Sequence, residues 1–99
     1  MKDTFSVAFS SRAQKDLSGL PAEIQNVILN RMRSLERDPF PCGNMKKKIK
    51  GMRHPLFRLR INTRTESFRV FYAIERRTVL VLRIIPRKDA DKILKSFRP

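Results

Sequence analysis

Between residues 57 and 85 the apolar side chains either alternate with polar ones or run unbroken, and that pattern commits the stretch to β-sheet. Phe57, Leu59 and Ile61 fall on one side of a strand, and Arg58 and Arg60 on the other. The polar residues 62–67 read as a hairpin connection into a second strand over 68–74. Glu75, Arg76 and Arg77 make the next turn, a third strand covers 78–85, and Pro86 ends it. The last two strands are apolar on both faces, which places them centrally in the sheet.

Upstream the pattern differs. Phe5, Val7 and Phe9 alternate with Thr4, Ser6 and Ala8, predicting an N-terminal strand. Ser11 and Gln14 have capping-box spacing, so a short helix opens at Ser11 with Ala13, Leu17 and Leu20 inward, and Gly19 stops it. Pro21 suits the first turn of a second helix, in which Ile24, Val27, Ile28, Met32 and Leu35 recur at spacings of three and four. So short a link makes the two helices an antiparallel hairpin. Two prolines and a glycine make residues 38–44 a loop. Ala90, Ile93, Leu94 and Phe97 predict a short terminal helix. The expected fold is α+β: an antiparallel β-sheet meander with an N-terminal strand, a two-helix hairpin packed on one face, and a short C-terminal helix. Ninety-nine residues supply one core, hence a single domain over 1–99.

The formal net charge is +14, and nearly all of it lies in the second part of the chain. Residues 41–99 hold seventeen Lys or Arg against four acids, whereas residues 1–40 hold six against five. Solubility asks for a net charge of only ~2–8 in a small domain. The excess draws polyanions through counterion release, which makes nucleic acid the leading partner class. A membrane is not expected. The longest apolar run, residues 70–74, is far too short to span one, and no basic amphipathic helix carries aromatic anchors. Residues 1–5 lack the apolar stretch of a signal segment, and the single Cys42 excludes an internal disulfide; both features lead us to expect a cytoplasmic protein.

Lys46, Lys47, Lys48, Lys50 and Arg53 place five positive charges within eight residues, just before the first meander strand. Alone, such a run is an ordinary solvated loop. Its weight comes from Arg58, Arg60, Arg69 and Arg83 inside the strands that follow, and from Arg87 and Lys88 beyond them. A strand-interior arginine is costly unless its guanidinium meets an anion or water, so the repetition points to a basic face cradling phosphates. Lys46, Lys47, Lys48, Lys50, Arg53, Arg83 and Lys88 are the expected RNA-binding residues. Paired carboxylates are lacking, His54 is the only histidine and sits in a surface connection, and the three glycines form no phosphate loop. Cys42 reads as an inert thiol, and no metal or other cofactor is expected.

These segments together resemble the RelE/ParE superfamily of toxins from prokaryotic toxin–antitoxin pairs, over nearly the whole chain. The resemblance rests on residues 5–9 followed by Ala13-Gln14-Lys15-Asp16-Leu17 and Leu20-Pro21, on Asp38-Pro39, and on Lys48-Ile49-Lys50-Gly51. It continues through Leu56-Phe57-Arg58-Leu59-Arg60, Phe68-Arg69-Val70-Phe71-Tyr72 and Ile84-Ile85-Pro86-Arg87-Lys88. For the RelE branch it implies ribosome-dependent, metal-independent endonuclease action on mRNA, which inhibits translation. Its catalytic positions fall on Arg58, Arg60, Arg69 and Arg87, and its RNA contacts on Lys48 and Lys50. It also implies a cognate acidic, helical antitoxin. Many RelE-type relatives carry a tyrosine a few residues beyond the Arg87 position; here that stretch is Asp89-Ala90-Asp91-Lys92-Ile93-Leu94, and the only tyrosine is Tyr72. The ParE branch, which implies inhibition of DNA gyrase, therefore stays open, as does a non-catalytic basic protein that binds nucleic acid.

Overall fold

The computed structural model describes residues 4–97; residues 1–3, which bear on the export expectation, and 98–99 lie outside it. Strand β1 (Ser6–Phe9) leads into helices α1 (Ser11–Ser18), α2 (Ala22–Met32) and the single turn α3 (Ser34–Arg37). Strands β2 (Lys46–Ile49), β3 (Leu56–Asn62), β4 (Ser67–Glu75) and β5 (Thr78–Pro86) follow, then a 3₁₀ turn (Arg87–Asp89) and helix α4 (Ala90–Lys95). The sheet order is β1-β5-β4-β3-β2, antiparallel throughout except that β1 runs parallel to β5. The α+β expectation is borne out, including the internal places of β4 and β5.

Two layers of core flank this sheet. On one side Leu59, Ile61, Phe68, Val70, Tyr72, Val79 and Val81 pack against Ala13, Ile28, Met32 and Leu35 of the helices. On the other, Leu56, Phe71 and Ile85 lie under Ala90, Ile93, Leu94 and Phe97, so the terminal helix covers the face opposite the hairpin. The alternation of β3 produces this division directly: odd-numbered residues face the helices, and Arg58 and Arg60 face away.

Four local readings need correction. Helix α1 is capped by Ser10, not Ser11: Ser10 Oγ accepts from the Ala13 amide at 3.1 Å while donating to Leu82 O on β5. That tertiary bond fixes Ser10, and the Gln14 side-chain amide turns to Phe9 O instead. Gly19 has φ −80°, an ordinary right-handed value, so its freedom is not what ends α1. The second helix breaks at Arg33, where the amide bonds to Asn30 O and Ser34 Oγ donates to Arg31 O, tightening the turn. Lys46–Ile49 is a strand on the sheet edge and not a loop, and charged side chains suit an edge because they oppose pairing with another chain.

Candidate nucleic-acid interface

The paired strands set the positions of the basic residues. Arg60 lies directly opposite Arg69 across β3 and β4, and Lys47 lies opposite Arg58 across β2 and β3. All four therefore share the sheet face that α4 partly covers. Arg87 joins them from the 3₁₀ turn, two residues after Ile85, the partner of Arg69 on β5. Arg69 is 7 % exposed, Arg58 and Arg60 are half-buried, and Arg87 is exposed.

The electrostatics record the convergence. Burial, foremost, and then the guanidinium groups of Arg60, Arg58 and Arg87 hold the Arg69 pKa below its ordinary value. Burial and Arg60 do the same to Arg58. Arg69 Nη1 has one partner, Phe68 O at 3.1 Å. Arg58 Nη1 and Arg60 Nε are buried and have none. Among the described residues no carboxylate pairs with any of the four arginines. An unsatisfied buried donor on a cation is costly, about 1–3 kcal/mol or more, so these N–H groups favour an anionic acceptor. Such an arrangement can bind a phosphate and stabilise further negative charge on it without reorganising.

The remaining candidates divide. Lys46 Nζ donates to Asp38 O, away from the arginines, and strand alternation puts Lys48 on that same side, exposed. Lys50 and Arg53 are exposed on the loop into β3, where Gly51 adopts φ +80°, and Lys88 is exposed beside Arg87. Arg83 does not belong to the basic face. Its Nε and Nη2 donate to the two oxygens of Asp16 on α1 at 2.8 and 3.2 Å, and Asp16 also accepts from the Ile84 amide at 2.9 Å. A bulge lies beside it, where Phe71 pairs with Arg83 and Tyr72 with Val81, leaving Leu82 as an extra residue that resets the alternation; beyond Val81 the β5 edge has no β1 partner, and Asp16 reaches it there. A simple period-two reading cannot detect that reset, nor a partner 67 residues away.

Tyr72 is wholly buried, stacked on Phe57 with ring centroids 5.6 Å apart, and its hydroxyl donates to Pro39 O at 2.7 Å. It packs the core on the helix side. His54 is exposed in the loop before β3. Among the described residues no group of three or more His, Cys, Asp or Glu is placed to hold a metal ion, and no helix is long and apolar enough to cross a membrane.

A sheet of this order, flanked by a helix hairpin and a terminal helix, is the fold of the RelE/ParE toxin superfamily. The archaeal RelE of the RelE–RelB complex from Pyrococcus horikoshii is similar at 25 % identity, over 85 % of this chain and 96 % of that one, with a TM-score of 0.67. The toxin–antitoxin complex RelBE2 from Mycobacterium tuberculosis gives 25 % identity, coverages of 85 % and 99 %, and a TM-score of 0.65. A mutant of the E. coli toxin RelE in the free state shares the fold at 18 % identity, with coverages of 95 % and 94 % and a TM-score of 0.71. No curated protein matches the sequence. Within that superfamily the chain belongs to the family of phage-derived, Gp49-like proteins, whose pattern matches residues 15–96.

Proposed function

We propose that this protein is the toxin of a toxin–antitoxin pair, a cytoplasmic, metal-independent endoribonuclease that cuts mRNA on the ribosome. Its similarity to RelE toxins supports the toxin role. The observation that carries the nuclease reading is the pair of buried, unpartnered donors, Arg58 Nη1 and Arg60 Nε, within a four-arginine cluster. In the proposed reaction the 2′-hydroxyl of one nucleotide loses its proton to water and attacks the adjacent phosphorus. The P–O5′ bond breaks, and the departing oxygen takes a proton from water, leaving a 5′-hydroxyl and a 2′,3′-cyclic phosphate that water opens to a 3′-phosphate. Arg58, Arg60 and Arg69 stabilise the extra charge on the phosphorane, and Arg87 completes the set from its exposed turn. Lys47 extends the arginine face, Lys50, Arg53 and Lys88 flank it from the loop into β3 and the 3₁₀ turn, and Lys46 and Lys48, on the other side of the β2 edge, draw the RNA strand through their charge.

The partners follow from the same reading. Solved relatives are complexes with antitoxins, which supports a cognate antitoxin here, acidic and helical, that covers part of the basic face. One observation favours gyrase inhibition as a second reading: Tyr72, the only tyrosine, is sealed in the core on the helix side of the sheet, opposite the arginines. Cleavage of ribosome-bound mRNA, run beside a gyrase supercoiling assay, decides between them. Arg87→Ala is expected to lower the cleavage rate ~10²–10³-fold while ribosome binding survives. Intact mRNA with blocked supercoiling would establish the second reading.

A further inference from the structure

The sheet face that carries the arginines also holds an apolar cleft that the proposed chemistry does not use. It measures about 350 Å³ and opens between the loop into β3 and the end of α4. Leu56, Ala73 and Leu82 form its floor, and Met52 and Phe97 its sides, with Arg53 and His54 along the margin. Leu56 precedes Arg58 by two residues on the same face of β3, so the cleft begins only about 7 Å along the strand from the arginine cluster. The Phe97 ring is braced edge-on by the fully buried Phe71, at 6.2 Å and 74°. A neighbouring hollow shares Met52, Arg53 and Pro55 and is lined by Lys48 and Lys50. No acid lines either one.

We propose that this cleft receives an unstacked base of single-stranded RNA, next to the nucleotide whose phosphate lies on the arginines. The proposal rests on the RNA reading above and adds to it a site for a base. An apolar floor with an aromatic wall accepts the flat face of a base, while Arg53 at its margin and Lys48 and Lys50 in the adjoining hollow suit the flanking phosphates. The charge pattern selects this occupant: Arg53 borders the apolar surface, Lys48 and Lys50 line the hollow beside it, and no carboxylate lines either one.

The test uses the full chain and a short RNA whose 2′-hydroxyls are methylated, so that it cannot be cut. One version carries 2-aminopurine at each position in turn, and a second is abasic at that position. At one position the 2-aminopurine emission should change on binding, and the abasic version should bind roughly 5- to 100-fold more weakly. The salt dependence of both should be the same, because the phosphates are unchanged. Phe97→Leu, which keeps an apolar contact with Phe71, should remove most of that difference. Equal affinities with no emission change, at an undiminished salt slope, would overturn the base site and leave the RNA reading standing; the cleft would then belong to an apolar side chain of a protein partner. Failure of either RNA to bind in a salt-dependent way would overturn both.

Discussion

Arg60 and Arg69 face each other across two strands although like charges so placed destabilise a sheet by roughly 0.2–1 kcal/mol. Arg60 Nε is also buried without an acceptor. Stability has been conceded at this spot, and the expected return is function. Arg60→Met should therefore raise stability by about 1 kcal/mol, or ~4–8 °C in Tm for a domain of this size, while cleavage falls ~10²–10³-fold. Thermal unfolding in phosphate-free buffer measures the first effect; a variant that loses stability along with activity would contradict the account. Tyr72 shows the opposite case, a polar group fully committed to structure. Burial first and the Asp38 charge second push its phenol far above the usual range. In the unfolded chain the phenol ionises near ~10, so the folded state's preference for the neutral form is fully present below that pH and fades as pH rises toward the folded value. Tyr72→Phe should cost about 1–3 kcal/mol at neutral pH by leaving Pro39 O unpaired, and the gap from wild type should shrink above pH ~10. Urea unfolding at pH 8 and pH 11 checks this, and a gap that widens at high pH would refute it.

At the scale of elements, legibility depended on whether a local pattern or a distant partner set the structure. Strands β3, β4 and β5 are legible in local pattern, alternation in β3 and apolar residues on both faces in β4 and β5, because each buries at least one face against helices. Strand β2 is not, since three of its four residues are lysines and its pairing to β3 leaves no periodic apolar trace. The cap of α1 is hidden for a similar reason: Ser10 and Ser11 look alike in sequence, and the bond to Leu82 O on β5 distinguishes them. Ser10→Ala should cost about 0.5–2 kcal/mol of stability, and Ser11→Ala close to nothing, in denaturant unfolding. Equal costs would restore the capping box at Ser11. The arginine cluster was legible in part. The alternation of β3 gives Arg58 and Arg60 a common face, but Asp16, distant in sequence, takes the Arg83 side chain at the edge of β5. The lysine run, legible as charge, was divided by the register into Lys47 beside Arg58 and Lys46 bound to Asp38 O.

Over the whole molecule the charge is distributed as the fold is. The first forty residues carry almost balanced charge, whereas the part of the chain that forms β2 to β5 and α4 carries the excess, with Lys47, Arg58, Arg60 and Arg69 on the face away from the hairpin. Such a surface attracts any polyanion, so affinity for nucleic acid cannot by itself establish cleavage. The chemistry proposed for the arginines can, because it needs the substrate's own 2′-hydroxyl as nucleophile. The most direct measurement is therefore cleavage of ribosome-bound mRNA by the purified protein, with all-ribose message compared against message carrying a single 2′-deoxy nucleotide at the cut position. Fragments with 5′-hydroxyl ends are expected from the first and none at that position from the second. Equal cutting of both, or none of either, would contradict the claim that the arginine cluster drives 2′-hydroxyl attack.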